Sequence, residues 1–237
     1  MNKGILYLIP TTLGKTPSNN SLPEYTLEII RTLDTFAVEN IQSAVKFLQW
    51  VGRTVPEYNI EFYSLNKKTP EQEVFSLLKP LKAGKNMGIL SEAGAPAIAD
   101  PGSTLVKMAH RNGIQVVPLV GPSSILLAMM ASGFNGQSFS FHGYLPMDQK
   151  GRKQTLIQLE GESQRHNRSQ IFMEAPYRNN QMLKTIIDSC QSETKLCIAT
   201  DITLQSERIV CKKISEWKNE PLPDLHKRPT IFILYAK

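Results

Sequence analysis

Short apolar runs alternate along this chain with segments whose apolar residues recur every three or four positions, and that alternation predicts the architecture. Gly4–Ile9 is a continuous run of the kind a parallel strand buried on both faces requires, and Pro10-Thr11-Thr12 ends it. Helical spacing over Glu24–Leu33 leads to a strand at Thr35–Glu39, an amphipathic helix at Ile41–Val51 and a strand at Ile60–Leu65. Pro70–Leu81 predicts one helix with proline near its start. Gly84-Lys85 then turns the chain into a strand at Met87–Leu90. A turn-rich stretch follows at Ser91–Gly102, then a helix at Ser103–Asn112 and a strand at Gln115–Leu119. Strands and helices in strict alternation imply a parallel sheet with right-handed crossovers and a ligand edge at the strands' carboxyl ends. Pro10-Thr11-Thr12, Glu39-Asn40 and Ser91–Gly94 all arrive at that edge.

The rhythm changes after Gly121. Helices are predicted at Ser123–Ser132, Lys150–Glu160 and Arg178–Cys190, and strands at Ser138–His142, Gln170–Met173, Lys195–Thr200, Glu207–Lys213 and Thr230–Ala236. Late strands without intervening helices suggest a mixed sheet with antiparallel members. The expectation is two α/β domains, 1–119 with a mainly parallel sheet and 120–237 with a mixed one, hinged at Val120-Gly121-Pro122. Leu13–Pro23, rich in Gly, Pro, Ser and Asn, is a loop that serves either as a lid over a pocket or as plain surface.

Composition narrows the function. The chain has 237 residues and a formal charge of +6, with basic and acidic residues interspersed, so an anionic partner such as nucleic acid is permitted without being demanded. Cys190, Cys197 and Cys211 have no metal-ligand spacing and cannot all pair, which fits a reducing cytoplasm. Lys3 and the run Gly4–Pro10 lack a cleavage pattern and read as a strand. Ile125–Ala131, the longest apolar run elsewhere, is far shorter than the roughly 20 residues a bilayer span needs, so no membrane association is expected. No dinucleotide, Walker, HExxH, CxxC or GxSxG pattern is present, and the scattered histidines His110, His142, His166 and His226 suggest neither metal nor triad.

What stands out is a lining of small residues, Ala93, Gly94, Ala95, Pro96, Ala97 and Ala99, edged by Ser91, Glu92, Ser123 and Ser124. Such a surface suits a ligand with an adenine, a ribose and an amino-acid tail lying against main chain. It equally suits two tight turns in which small residues serve only close packing.

The runs SEAGAPAIADPGSTLVKMA, VVPLVGPSSILLAMMASG, FSFHGYLP and FMEAPYRN, in that order, resemble the motifs of the tetrapyrrole methylase superfamily of S-adenosylmethionine-dependent methyltransferases. They are most similar to its ribosomal RNA small-subunit methyltransferase I branch, which methylates a cytidine 2′-hydroxyl. The resemblance runs from Leu6 to Ala236. It implies two α/β domains with S-adenosylmethionine in the cleft between them. It places Pro10, Ser91, Glu92, Gly94, Ala95, Ile98, Ser124, Ile125, Met173, Pro229 and Thr230 at the cofactor, and a homodimer as the assembly. Where relatives often have an acidic or hydroxyl residue this chain has Ala95, which makes Glu92 the candidate carboxylate for ribose or ammonium, against a solvent-facing turn residue.

The acceptor side departs from the branch. Its acidic-Asp-Thr-Arg run is Glu39-Asn40-Ile41-Gln42 here, its Pro-Ile-Gly-Asn-Leu run is Pro10-Thr11-Thr12-Leu13-Gly14, and its Glu-Leu-Thr-Lys run is Asp201-Ile202-Thr203-Leu204. Glu39 is the candidate catalytic base for a ribose hydroxyl, or else a helix cap or ion-pair partner. Tyr144, Glu174, Tyr177 and Arg178 are candidate substrate contacts, with Arg178 holding a phosphate or simply pairing with Glu174. The leading expectation is an RNA methyltransferase. A small-molecule methyltransferase, such as one for a tetrapyrrole, and a non-catalytic S-adenosylmethionine-binding protein are the alternatives.

Overall fold

The computed structural model describes residues 2–16, 19–53 and 59–237. Part of the loop expected over Leu13–Pro23, namely Pro17 and Ser18, lies outside the described residues. Two units divide the chain, Met1–Ser123 and Ser124–Lys237. That division and the one anticipated after Leu119 both fall in the loop between the last strand of the first sheet and the helix beginning at Ser124.

In the first unit the apolar runs become β1 (Leu6–Ile9), β2 (Thr35–Val38), β3 (Glu61–Ser64), β4 (Met87–Leu90) and β5 (Val116–Pro118). They form one sheet in the order β3-β2-β4-β1-β5, parallel at every pairing. Helices α1 (Glu24–Thr32) and α2 (Ile41–Trp50) follow β1 and β2, while α3 (Glu71–Ser76), α4 (Leu78–Lys82) and α5 (Ser103–Arg111) follow β3 and β4.

Strand side chains alternate between the faces, and two cores result. Ile9, Phe36, Val38 and Leu90 pack with Leu27, Ile30, Ala44 and Leu48 of α1 and α2. Leu6, Ala37, Met87 and Ile89 pack with Val74, Leu78, Leu81, Leu105 and Met108 of α3 to α5. Each such side chain removed from water contributes about 1.5–3 kcal/mol, so the period-two alternation fixes the register. At Gly88 an added Cβ would stand 2.4 Å from Ile9 Cδ1, so β4 has no room for a side chain on that face.

Because β1 and β2 send their chains to helices on one face and β3 and β4 to the other, the winding reverses between the neighbouring strands β2 and β4. That is where open α/β sheets form a crevice at the carboxyl edge.

The single helix expected over Pro70–Leu81 is interrupted at Leu77. Pro80 has no N–H for the carbonyl of Ser76, one turn back, and α3 ends there.

The second unit opens with α6 (Ser124–Ser132), followed by β6 (Phe139–Tyr144), α7 (Gln149–His166), β7 (Ser169–Met173), α8 (Asn179–Ser189), β8 (Lys195–Thr200), β9 (Arg208–Lys213), α9 (Ile214–Lys218) and β10 (Thr230–Tyr235). Its sheet runs β6-β7-β10-β8-β9, with β6 and β7 parallel and the remaining pairs antiparallel. The mixed character expected from the late strands is borne out.

Leu156 and Leu159 of α7, Met182, Leu183 and Ile186 of α8 and Trp217 of α9 pack on Phe172, Leu196, Ile198 and Phe232. β6 continues past His142 through a register shift beside Gly143, whose φ of 63° is left-handed. α7 runs beyond the expected Glu160 to Asn167, a left-handed cap with φ 49°. No helix was anticipated at α9, a short turn closed by the Glu216 carboxylate on the Lys213 amide.

Candidate functional site

The loops leaving β1 and β4 are joined to each other. Thr11 and Gly94 exchange backbone hydrogen bonds of 2.9 and 3.2 Å, the Ser91 hydroxyl donates to Gly94 O at 2.6 Å, and the Thr11 hydroxyl donates to Ser91 O at 3.2 Å. Gly94 sits at φ 73°, with an added Cβ 3.1 Å from Leu13 Cδ2, so this crossing suits glycine alone.

The next residues continue the unusual backbone, with Ala97 at φ 65°, Ala99 at φ 62° and Gly102 at φ 128°. Left-handed alanines cost about 1 kcal/mol or more each and persist where surrounding structure holds them.

Two cavities flank this crossing. The larger, about 550 Å³, is lined by Thr11–Lys15, Val38–Asn40, Ser43, Ala44, Phe47, Trp50 and Leu90–Ala93, with Lys46 at its rim. All three segments predicted to reach the ligand edge therefore converge on it. The smaller, about 430 Å³, is almost wholly apolar and lies against Pro10, Ala95, Pro96, Ala97, Ile98 and Gly121.

Of the predicted first-unit residues, Ser91, Glu92 and Glu39 line the larger cavity and Pro10, Ala95 and Ile98 the smaller, while Gly94 forms the crossing that separates them. The loop after β1 is held down by Leu22, which is buried, and by Trp50 Nε1 donating to Thr16 O at 3.2 Å.

Glu39 is not the cap of α2. That role falls to Asn40, whose Oδ1 accepts from Ser43 N at 3.1 Å, and Glu39 makes no hydrogen bond or ion pair with a described residue. Glu92 is exposed and accepts from the Ser43 hydroxyl at 3.3 Å.

A third carboxyl, Asp100, escaped the sequence reading because its ADPG context looks like an ordinary turn. Burial pushes Asp100 up to about 6, the charges of Glu39 and Glu92 add to the rise, and Lys67 opposes it. The edge of the sheet thus brings Glu39 to two carboxyls of the loop after β4, Glu92 and Asp100.

In the second unit Tyr144, Met173, Pro229 and Thr230 share one edge of its sheet. Met173 ends β7 opposite both Tyr144 of β6 and Ile231 of β10, and Thr230 opens β10 opposite Thr200. Pro229 precedes it, its carbonyl accepting from Asp201 N at 2.9 Å, and Ser124 and Ile125 begin α6.

Glu174 is buried and holds Arg178 Nη2 at 2.6 Å and its neighbour Ala175 N at 2.7 Å, so the pairing alternative for Arg178 is the one observed. This contact raises the already high Arg178 pKa. Tyr177 lies under the guanidinium, 5.1 Å from centroid to Cζ, and Tyr144 and Tyr177 are exposed.

Two neighbours were not anticipated. Arg152 of α7 is fully buried, donating to the Thr185 hydroxyl at 3.2 Å and to Met147 O at 3.4 Å. Arg228 pairs with Asp201 at 2.8 Å. Among the described residues no group of three His, Cys, Asp or Glu side chains is arranged to hold a metal, and no helix is long and apolar enough to cross a membrane.

A parallel sheet with acid-lined and apolar cavities at its carboxyl edge, followed by a mixed-sheet unit, defines a two-unit α/β enzyme of the ligand-crevice kind. The sequence profile of the Tetrapyrrole (Corrin/Porphyrin) Methylases matches residues 14–217, and the chain belongs to that family. It is a methyltransferase.

The chain is 31% identical over 214 residues to the ribosomal RNA small subunit methyltransferase I of Vibrio cholerae, a match covering 90% of this chain and 69% of that protein. Against the Bacillus subtilis protein of the same name it is 30% identical over 220 residues, covering 92% and 71%. The crystal structure of diphthine synthase shares the fold with a TM-score of 0.70 at 14% identity, covering 99% of this chain and 90% of that one. The expected family and the expected pair of α/β sheets are both borne out.

Proposed function

We propose that the protein transfers the methyl group of S-adenosylmethionine to a cytidine 2′-hydroxyl of ribosomal RNA, in the cytoplasm and as a homodimer. The observation that supports this most is the convergence of the β1, β2 and β4 loops on one cavity in a chain that is about 30% identical to proteins named ribosomal RNA small subunit methyltransferase I.

The lining fits the donor. The apolar surface at Pro10, Ala95 and Ile98 suits an adenine ring, and Ser91 and Glu92 across the Gly94 crossing offer partners for hydroxyl and ammonium groups. In the second unit Ser124, Ile125, Met173, Pro229 and Thr230 are the proposed cofactor contacts. When bound, the cofactor supplies a methyl group on a sulfonium whose leaving group is a neutral thioether.

The chain therefore needs no covalent nucleophile. Its residues hold the acceptor hydroxyl in line and exclude water, an effect worth up to about 7–11 kcal/mol. Glu39, unpaired among the described residues and part of the cavity lining, accepts the hydroxyl proton. Exposed Tyr144 and Tyr177 offer rings for unstacked bases, and Arg178, steadied by buried Glu174, faces a phosphate.

The test is a mass-spectrometric comparison of small-subunit ribosomal RNA from cells with and without the protein. Loss of one 2′-O-methyl cytidine, restored when the purified protein is added to the unmodified subunits with labelled cofactor, is expected. An identical modification pattern in both strains, with no label entering RNA, refutes the proposal.

A further inference from the structure

Beside the larger cavity, on the face carrying α3 to α5, a polar groove of about 400 Å³ runs from the carboxyl end of β3 along α5. Three cations line it, Lys67, Lys107 and Arg111, against two carboxyls, Glu71 and Asp100. None of the three cations forms an ion pair with a described residue.

Lys107 and Arg111 are four residues apart on one helix, an arrangement of like charges that costs a few tenths of a kcal/mol unless something anionic lies between them. Ser103 and Thr104 bring hydroxyls to the same groove at the start of α5, where the N-cap is Gly102 and no side chain caps the first amides. Cations, hydroxyls and uncapped amides on one concave surface are the donors that phosphate oxygens accept from.

The groove adjoins the reaction site. Leu65 N donates to Val38 O at 2.8 Å, which sets the start of the Lys67 loop next to Glu39. Asp100 at the near end of the groove senses both Glu39 and Glu92. The polarity therefore changes along the surface, from carboxyls at the cavity to cations along α5.

We propose that this groove holds the phosphodiester backbone of the RNA strand next to the nucleotide being methylated. The inference rests on the RNA reading above. A nucleic-acid backbone fits better than a lone phosphate because two cations follow one face of α5 and the third comes from the loop after β3, rather than all belonging to one short segment.

The experiment measures binding of a short fluorescent single-stranded RNA of mixed sequence as a function of salt, for the full chain and for the Lys67→Gln/Lys107→Gln/Arg111→Gln variant. S-adenosylmethionine affinity is measured in parallel by calorimetry. Each phosphate contact on a single strand contributes about 0.7 to the slope of log K against log salt, so the triple variant should lose about 2 from the slope, or about 100-fold in affinity at 0.1 M salt.

Its melting temperature should match the wild type, and because Lys107 also lines the apolar cavity, unchanged cofactor affinity is expected of the Lys67→Gln/Arg111→Gln variant measured alongside it. The charge-retaining variant Lys67→Arg/Lys107→Arg/Arg111→Lys should keep the slope, and Lys79→Gln/Lys153→Gln/Lys184→Gln, with the same net charge change elsewhere, should lose much less. An unchanged slope in the groove variant, or an equal loss in the control, overturns the groove while leaving the methyltransferase reading intact. Cytidine monophosphate competing as well as the oligonucleotide overturns the backbone assignment. A wild-type protein that binds S-adenosylmethionine but no RNA overturns the RNA reading and this inference with it.

Discussion

Replacing Asp100 with asparagine should stabilise the protein at neutral pH and leave it unchanged in acid. The carboxyl rises from an ordinary value of 3.8 to about 6 because it is partly buried and faces Glu39 and Glu92. A displacement of about two pH units corresponds to at most about 3 kcal/mol. Asp100 is partly exposed, and screening by solvent reduces that ceiling to about 1 kcal/mol.

Since the folded chain holds the Asp100 proton more tightly than the unfolded chain, its contribution is fully present below about pH 4 and is lost as pH rises through about 6. Asparagine cannot ionise and suffers no such loss. Thermal melts of wild type and Asp100→Asn followed from about pH 4 to pH 8 should therefore coincide at the acid end. They should separate by about 3 °C in favour of the variant above pH 7. A variant that melts lower than wild type at pH 8, or a gap that does not change with pH, would show that Asp100 is held by contacts rather than opposed by its neighbours.

Gly94→Val should abolish S-adenosylmethionine binding in calorimetry, since a β-branched residue at φ 73° costs about 2 kcal/mol and its Cβ meets Leu13; unchanged affinity would put the cofactor elsewhere. Glu39→Gln should lower the methylation rate by about 100-fold or more with cofactor affinity unaltered, and a rate within threefold of wild type would remove Glu39 from proton transfer.

Arg53 is buried, donates to Ile30 O at 3.2 Å, pairs with Asp34 at 2.5 Å and lies 5.7 Å from the Phe36 ring centroid. Arg53→Ala should cost about 2 kcal/mol in urea unfolding, whereas a loss below about 0.5 would mean the packing is dispensable. Of the cysteines, burial pushes Cys190 up to about 12, and the hydrogen bond between Cys197 and Cys211 raises the former and lowers the latter. The native protein should therefore titrate one fast thiol with Ellman's reagent, exposed Cys211, and a Cys211→Ser variant that still shows it would contradict this assignment.

The sheet of the first unit was legible because its strands are short, apolar and separated by helical spacing. Phe36-Ala37-Val38 even assigns its side chains to alternate faces. The ligand edge followed from topology, and the three converging loops from where each strand stops.

Legibility ended where environment is made by distant chain. Asp100 has an ordinary turn sequence, and its unusual carboxyl depends first on burial and then on Glu39, which arrives from another loop, with Glu92 of its own loop adding to the rise. Arg152 stands in the polar stretch Gln149–Gln154, whose composition suggests a solvated helix face, yet tertiary packing closes over it completely. The break at Leu77 shows the opposite case. Pro80 was in plain view, but a pattern of apolar spacing cannot weigh one missing N–H against two turns of good periodicity.

The alanines at 97 and 99 carry an implication for how the turn behaves over time. Glycine at either position would relieve about 1 kcal/mol of left-handed strain but would add a comparable entropy loss on folding. The methyl groups are thus nearly neutral for stability while they narrow the conformations the segment can visit. Glycine variants at these two positions should melt like the wild type yet exchange their backbone amides faster, which separates the rigidity of this surface from the stability of the fold beneath it.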